Sequence, residues 1–355
     1  MKNKLLLSSA LLGSLVIGSS AYSQTTVTGN LSLSYKSLSG YTVSSATSSA
    51  RAFGRESQIN IQNKGKLNNG MDYAAGFSLE NDGGQEGDLS NENVYVDFIS
   101  GNTTLTVGLD HIQNTNRTLG NFVGNDASDL ATGNNYATAV ATAGFIQSAG
   151  SNPAQSMGAG ITQKTPIGSI SLFYVPTAGT NAGSDNEVGN KAGVATTTLE
   201  SDRESAFEIG FAGDLGVKGL SAHAFYNEEG KNAGHARELK GTNIGVAYNF
   251  GQITAGYTRK ENENPGTTAA AGTDLTQDEF GIAFAATPQI TIAANYTKSD
   301  SSAASTVDAK SKSLALGYNL GPVAIIAQYA KQENITNTTA TGDLDVAFIK
   351  INTNF

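Results

Sequence analysis

Cysteine and tryptophan are absent from this chain, and basic residues are scarce. Without cysteine no disulfide can staple the fold. Lys and Arg number 22 against 31 Asp and Glu, a net charge of -9. That balance argues against nucleic acid as a partner, because phosphates need a basic face. Long apolar runs are missing too. After residue 24 none approaches the roughly 20 residues of a membrane-spanning helix. Hydrophobic residues make up 39% of the chain, with less Leu, Ile and Val than a soluble core of this length usually holds. Three classes remain open: a soluble protein with a poor core, a disordered chain, or a transmembrane β-barrel. A barrel's wet interior lets half of each strand be polar.

The N-terminus reads as an export signal. Lys2 and Lys4 precede an apolar stretch over residues 5–17, and Ala21 and Ser23 occupy the -3 and -1 positions of a cleavage site. The division is therefore a signal peptide, 1–23, and a mature domain, 24–355. Cleavage removes two lysines and no acid, leaving a charge of about -11.

Period-two alternation runs through the rest. "TTVTGNLSLSYK" sets Val27, Leu31, Leu33 and Tyr35 on one face and Thr28, Asn30, Ser32, Ser34 and Lys36 on the other. Such runs predict sixteen strands: 25–36, 53–66, 71–81, 92–99, 103–110, 155–164, 168–176, 204–213, 218–227, 239–250, 252–261, 277–287, 289–298, 310–320, 323–332 and 343–355. The connectors alternate in length. Short ones fall at 67–70, 100–102, 165–167, 214–217, Gly251, Pro288 and 321–322. Long ones span 37–52, 82–91, 111–154, 177–203, 228–238, 262–276, 299–309 and 333–342. Short turns on one side, long loops on the other and an even strand count describe an outer-membrane barrel. A disordered chain has no reason to alternate its connectors. The third loop, 111–154, is the longest, and loops of that length are usually functional.

Aromatic positions separate a barrel from a soluble sandwich. A sandwich core needs large residues mid-strand. Here the mid-strand outward residues are often Ala, and Tyr or Phe sits at the ends. Tyr174, Tyr226, Tyr257, Tyr296 and Tyr329 close rising strands, while Tyr248, Phe250 and Tyr318 lie near the tight turns. Two aromatic girdles at the membrane interfaces are expected from this pattern. Arg259, just beyond Tyr257 on the lipid side, falls at the headgroup level.

With a signal peptide, sixteen strands, an overlong third loop and a terminal Phe355 in "INTNF", the chain resembles the general porins of Gram-negative outer membranes, especially the alphaproteobacterial type. Residues 53–80, "FGRESQINIQNKGKLNNGMDYAAGFSLE", resemble the second strand, turn and third strand of such porins. The resemblance implies outer-membrane localisation among lipid and lipopolysaccharide, a homotrimer, a third loop folded into the lumen, and Phe355 as part of the signal read by the barrel-assembly machinery.

No catalytic constellation emerges, and neither cofactor nor metal is called for. The histidines His111, His223 and His235 lie in or next to different loops, and nucleophile-elbow, zinc-protease and P-loop patterns are absent. Asp126, Asp129 and Asn125 fall short of the six to eight oxygens calcium takes. Function rests instead on pore width and charge. The third loop supplies Arg117, Asp126 and Asp129. By analogy these oppose wall cations, the candidates being Lys36, Arg51 and Arg55, although strand parity with Ile59 and Ile61 turns Arg55 toward lipid. Glu80 and Asp97 also face inward by parity. The expected function is passive diffusion of small hydrophilic solutes and ions, with a weak cation preference. A substrate-selective channel and a surface barrel for interaction or adhesion are the alternatives.

Overall fold

The computed structural model describes residues 23–43, 46–81, 90–109, 114, 117–131, 145–146, 149–150, 157–176, 205–230, 238–263, 274–302, 307–335 and 343–355. The leader, 1–22, and His111 and His235 lie outside the described residues. Among those described, sixteen antiparallel strands form one closed barrel, each paired with its sequence neighbours. They are β1 (Gln24–Val43), β2 (Ala46–Lys66), β3 (Asp72–Asn81), β4 (Ser90–Ser100), β5 (Thr103–Gly108), β6 (Gly158–Thr165), β7 (Gly168–Val175) and β8 (Ala206–Gly213). The second half comprises β9 (Leu220–Glu229), β10 (Leu239–Asn249), β11 (Ile253–Glu263), β12 (Leu275–Ala285), β13 (Ile290–Ser301), β14 (Ala309–Asn319), β15 (Val323–Glu333) and β16 (Leu344–Asn354). Among the described residues the one helix, α1 (Ala127–Ala131), belongs to the third loop.

The alternation sorts side chains inside out. Leu31, Leu33, Ile209, Ile244, Leu316 and Ile351 are exposed on the outer wall, whereas Ser32, Asn227, Asn243 and Thr297 are buried within. A water-soluble protein could not present such a wall, but lipid solvates it.

The tight turns explain the paired motifs "AYNFGQI" and "GYNLGPV". The Asn249 side chain accepts a hydrogen bond from Gly251 N at 2.9 Å, and Asn319 does the same for Gly321 at 2.8 Å. Both glycines take positive φ, 96° and 90°, which a side chain would strain. The chain then returns through Phe250 N to Ile253 O, 2.7 Å, and Leu320 N to Val323 O, 2.8 Å.

The ring closes where β1 meets β16. Gly29 and Phe355 exchange backbone hydrogen bonds of 2.8 and 3.0 Å, and the Phe355 ring lies so near Gly29 that a Cβ would stand 2.6 Å from it.

One expectation is corrected. The segment 37–52 is largely strand, because β1 and β2 stay paired out to Val43 opposite Ala46, with a register shift between Leu38 and Tyr41. The ribbon's strand character comes from backbone pairing and not from an apolar face. Its Ser- and Thr-rich composition reads as loop for that reason.

The outer aromatics occupy both ends of the wall. Near the turns, Tyr248 and Phe250 pack ring to ring at 4.7 Å, and Tyr318 is exposed at the corresponding lower end of β14. At the opposite end Tyr257 meets Phe280 at 4.8 Å, and Phe280 meets Tyr296 at 6.4 Å. There Tyr226 donates to Glu228 at 2.6 Å, Tyr257 to Asp278 at 2.5 Å and Tyr329 to Asp345 at 3.2 Å. Tyr174 is also exposed at the upper end of β7. Arg259 sits at this level too, but protein carboxylates meet its charge: Glu261 at 2.7 Å and Asp278 at 3.1 Å.

Candidate functional site

The third loop enters the barrel and lies along one wall. A buried backbone must find hydrogen-bond partners, and here inward side chains of the strands supply them. Asn243 donates to the carbonyls of Asn114, 3.2 Å, and Arg117, 2.8 Å. The Thr258 hydroxyl accepts from Leu119 N at 2.6 Å and Gly120 N at 3.0 Å. Three amide side chains each grip both the N–H and the C=O of one loop residue. Asn295 holds Phe122 with two bonds of 2.9 Å. Gln328 holds Asn125 at 2.9 and 3.0 Å. Gln277 holds Ile146 on the returning run at 2.7 and 3.0 Å. Gln332 reaches the carbonyl of Ala127 at 2.8 Å, and Asn227 that of Ala149 at 2.7 Å.

Small residues make room for this path. A Cβ on Gly256 would overlap the carbonyl oxygen of Leu119, and one on Gly281 would stand 2.6 Å from that of Gly120. Higher up, an apolar cluster glues α1 to the wall: Leu130 and Phe145 pack with Ala330, Leu344, Val346 and Phe348. The barrel's only sizeable described core is thus inside the lumen, between loop and wall.

Charged groups divide between the buried seam and the open side. Lys260 on β11 and Glu279 on β12 form a 3.1 Å ion pair with side chains 0% and 1% exposed. Gln277 Nε2 donates to Glu279 at 2.7 Å, and the Thr118 hydroxyl also donates to it. His223 is buried, its Nε2 2.9 Å from Asn243 Oδ1 and its ring stacked on Phe225 at 5.3 Å. Asp126 caps α1 by accepting from Asp129 N at 2.9 Å. Burial first, and the neighbouring Asp129 second, push the Asp126 carboxyl up to about 6. Burial raises Asp129 as well, against the pull of Lys36, Lys260 and Lys350.

The sequence candidates separate into four groups. Lys36 and the Asp126–Asp129 turn come together, with Lys36 Nζ donating to the Asp129 carbonyl at 2.7 Å. Arg117 is exposed on the outbound run of the loop. Glu80 and Asp97 face inward on β3 and β4, Glu80 accepting from Gln58 at 3.3 Å and Asp97 from Thr106 at 2.6 Å. Arg51 and Arg55 do not belong to the lumen. Arg55 pairs with Leu33 and Arg51 with Ser37, directly paired residues share a face, and that face carries the exposed Phe53. No bulge intervenes between them, so the parity objection decides the matter. Lys350, 3.6 Å from Glu56, joins Lys36 near Asp129 instead. Sequence reasoning missed Lys350, and it missed the role of the wall amides. Inward parity marks all of them, but nothing in the strands shows where a loop will touch.

This geometry is a closed barrel with its third loop seated against polar side chains of the inner wall. A family model of the Gram-negative porins matches residues 8–337. The chain belongs to that family. Solved porins share its fold at low identity. A variant of the Rhodopseudomonas blastica porin is 15% identical, covering 94% of this chain and 100% of its own, with a TM-score of 0.57. An anion-selective porin from Comamonas acidovorans is 13% identical over 94% and 100%, TM-score 0.65. A loop-deletion form of a Vibrio cholerae outer-membrane protein is 11% identical over 94% and 99%, TM-score 0.60. No curated protein sequence matches the chain. As a Gram-negative porin the protein forms a diffusion channel in the outer membrane, and its family is one of channels rather than enzymes.

Proposed function

We infer that this porin passes small hydrophilic solutes and ions without binding one substrate class, and that the third loop sets its narrowest section. The observation that carries this reading is the one-sided seat of the loop. Among the described residues it is hydrogen-bonded to the wall from β8 round to β15, and α1 packs on β16 and β1 through Leu344, Val346, Phe348 and Leu38, with Lys36 bonded to Asp129. The opening is therefore left against β2 to β5. That side carries Glu56, Glu80, Glu92 and Asp97, with Lys350 beside Glu56, a balance that favours cations. Across it stand Arg117 and the Asp126–Asp129 turn with Lys36. Opposed charges of this kind orient water and disfavour apolar solutes.

The same reading includes export by cleavage of residues 1–23, insertion through the assembly machinery with Phe355 as part of the signal, and a homotrimer. The trimer draws support from Phe53, 87% exposed on the outer face between Arg51 and Arg55. An aromatic bracketed by two cations suits a protein neighbour.

Single-channel conductance with reversal potentials in a salt gradient tests the pore. Asp126→Asn/Asp129→Asn should lower cation preference; unchanged conductance and ion preference would remove the loop's carboxylates from the constriction. No conductance from wild type would remove the channel itself. Mass of the detergent-solubilised protein before and after Phe53→Ser tests the trimer.

A further inference from the structure

The third loop changes direction between two of its clamps, at Val123 and Gly124. Both take positive φ, 54° and 91°. Gly124 adopts it freely. Val123 does not, since a β-branched side chain is a true outlier in the left-handed region. Four described residues other than glycine have positive φ, and two of them are the tolerant Asn93 and Asn334. Val123 alone among the four is β-branched.

The wall imposes this bend. Asn295 on β13 holds Phe122, and Gln328 on β15 holds Asn125. Both amides also donate to the Ser313 hydroxyl on β14, at 3.4 and 3.2 Å. Clamps that converge on one hydroxyl bring Phe122 and Asn125 close, and Val123 and Gly124 must close the gap. The Phe122 carbonyl and the Asn125 N–H would bond each other in an ordinary tight turn. Here the wall amides take both. A Cβ on Gly124 would overlap the Gln328 amide that grips Asn125. Val123 leans its methyls over Gly317, where a Cβ would stand 3.2 Å from Cγ1. Asp126 and α1 follow directly beyond the bend.

We propose that Val123 is a positioning residue of the constriction and acts as a loaded catch. Strained backbone survives only where its surroundings over-determine it. The seated bend holds Val123 in that state, and leaving the wall lets its φ turn negative and releases the strain. The loop therefore has a second, unseated position. The strain at Val123 sets how often the segment from Phe122 to α1 visits it. Each visit carries Asp126 and Asp129 off the wall and into the lumen. Asparagine, favoured at the first of two positive-φ positions in a type I′ turn, would fix the loop more firmly; valine keeps it releasable. The inference rests on the reading that this loop sets the narrowest section.

The test uses the folded full-length mature protein, in octyl glucoside for hydrogen exchange and in planar bilayers for single-channel recording. Val123→Asn removes the strain, because asparagine tolerates the left-handed region. Val123→Thr keeps the β-branch, the shape and the strain. Exchange is read by mass spectrometry on the peptide holding the Phe122 and Asn125 N–H groups, scaled to each unfolded chain. Val123→Asn should slow it by about fivefold or more, and brief downward steps in conductance should become rarer by a similar factor. Val123→Thr should match wild type in both. Unchanged or faster exchange in Val123→Asn overturns the catch, since packing on Gly317 is then the larger effect. Equal slowing by Val123→Thr also overturns it, by assigning the effect to polarity. Slower exchange in Val123→Asn alone, with the conductance steps unaltered, upholds the catch and removes this loop from the narrowest section.

Discussion

Asn295 on β13 holds Phe122 by both ends of its amide. Its Oδ1 accepts from the Phe122 N–H and its Nδ2 donates to the Phe122 carbonyl, each at 2.9 Å. A side chain here plays the part of a neighbouring strand. Gln328 and Gln277 repeat it at Asn125 and Ile146, so a non-strand segment is seated without unsatisfied backbone at three places.

Removing one clamp should loosen the loop and spare the barrel. Asn295→Ala strands one N–H and one C=O, each costing about 1–3 kcal/mol if left dry. The loop has other attachments, so the expected outcome is a noisier open channel, stronger still in Asn295→Ala/Gln328→Ala. The thermal midpoint of the barrel should stay near wild type, since the strand ladders are untouched. Single-channel recordings beside a thermal melt check both halves. A quiet double variant would mean the amides do not hold the loop.

The Lys260–Glu279 pair makes a different demand. Both side chains are almost fully enclosed under the loop. Lys260→Met leaves a carboxylate buried without its cation, which costs about 3–5 kcal/mol. Replacing both, Lys260→Met/Glu279→Leu, should recover much of that loss, because the desolvation penalty disappears with the charges. Denaturant unfolding of the two variants, followed by circular dichroism, reads the difference. A double variant no more stable than Lys260→Met would show that the pair itself contributes the stability.

The barrel was legible in the sequence because each strand declares two faces. Residues such as Ile292 and Leu316 turn outward, and Asn295 and Ser313 turn inward, whatever the loops do. Parity alone turned Arg55 toward lipid, and the register agrees; the analogy that placed it in the constriction failed. The ribbon of β1 and β2 escaped notice because its strand character comes from backbone pairing and not from an apolar face. The loop's seat was also hidden. Thr258, Asn295 and Gln328 read simply as wet lumen residues, and their value depends on where Leu119, Gly120, Phe122 and Asn125 lie in three dimensions. Gly256 and Gly281 give the one local hint, since a strand interior gains nothing from glycine unless something approaches closely.

That hint yields its own variant. Gly256→Val places two methyls where the Leu119 carbonyl lies. The β11 backbone is locked between β10 and β12, so the loop must give way. Conductance should fall as the segment around 118–120 is pushed off the wall toward the opening, and the hydrogen bonds to Thr258 at 2.6 and 3.0 Å should be lost with it. Unchanged conductance in planar-bilayer recordings would mean that this segment does not border the opening.

Proton concentration should tune the same constriction. The Asp126 carboxyl, raised to about 6 by burial and then by Asp129, is charged at pH 8 and largely neutral at pH 5. A carboxyl whose folded value exceeds its unfolded one is held less comfortably when ionised. Docking of the Asp126–Asp129 turn is therefore weaker above about pH 6, and it gains stability as pH falls from there toward the ordinary carboxylate range. Losing the charge also removes a negative group beside Asp129. Cation preference should thus decline between pH 8 and 5, while open-channel noise from the turn declines with it. Asp126→Asn fixes the neutral state, so its reversal potential at pH 8 should resemble that of wild type at pH 5 and change little between the two. If the variant keeps the full wild-type pH dependence, the titrating group lies elsewhere, and Glu80 and Glu92 on the open side become the next residues to replace.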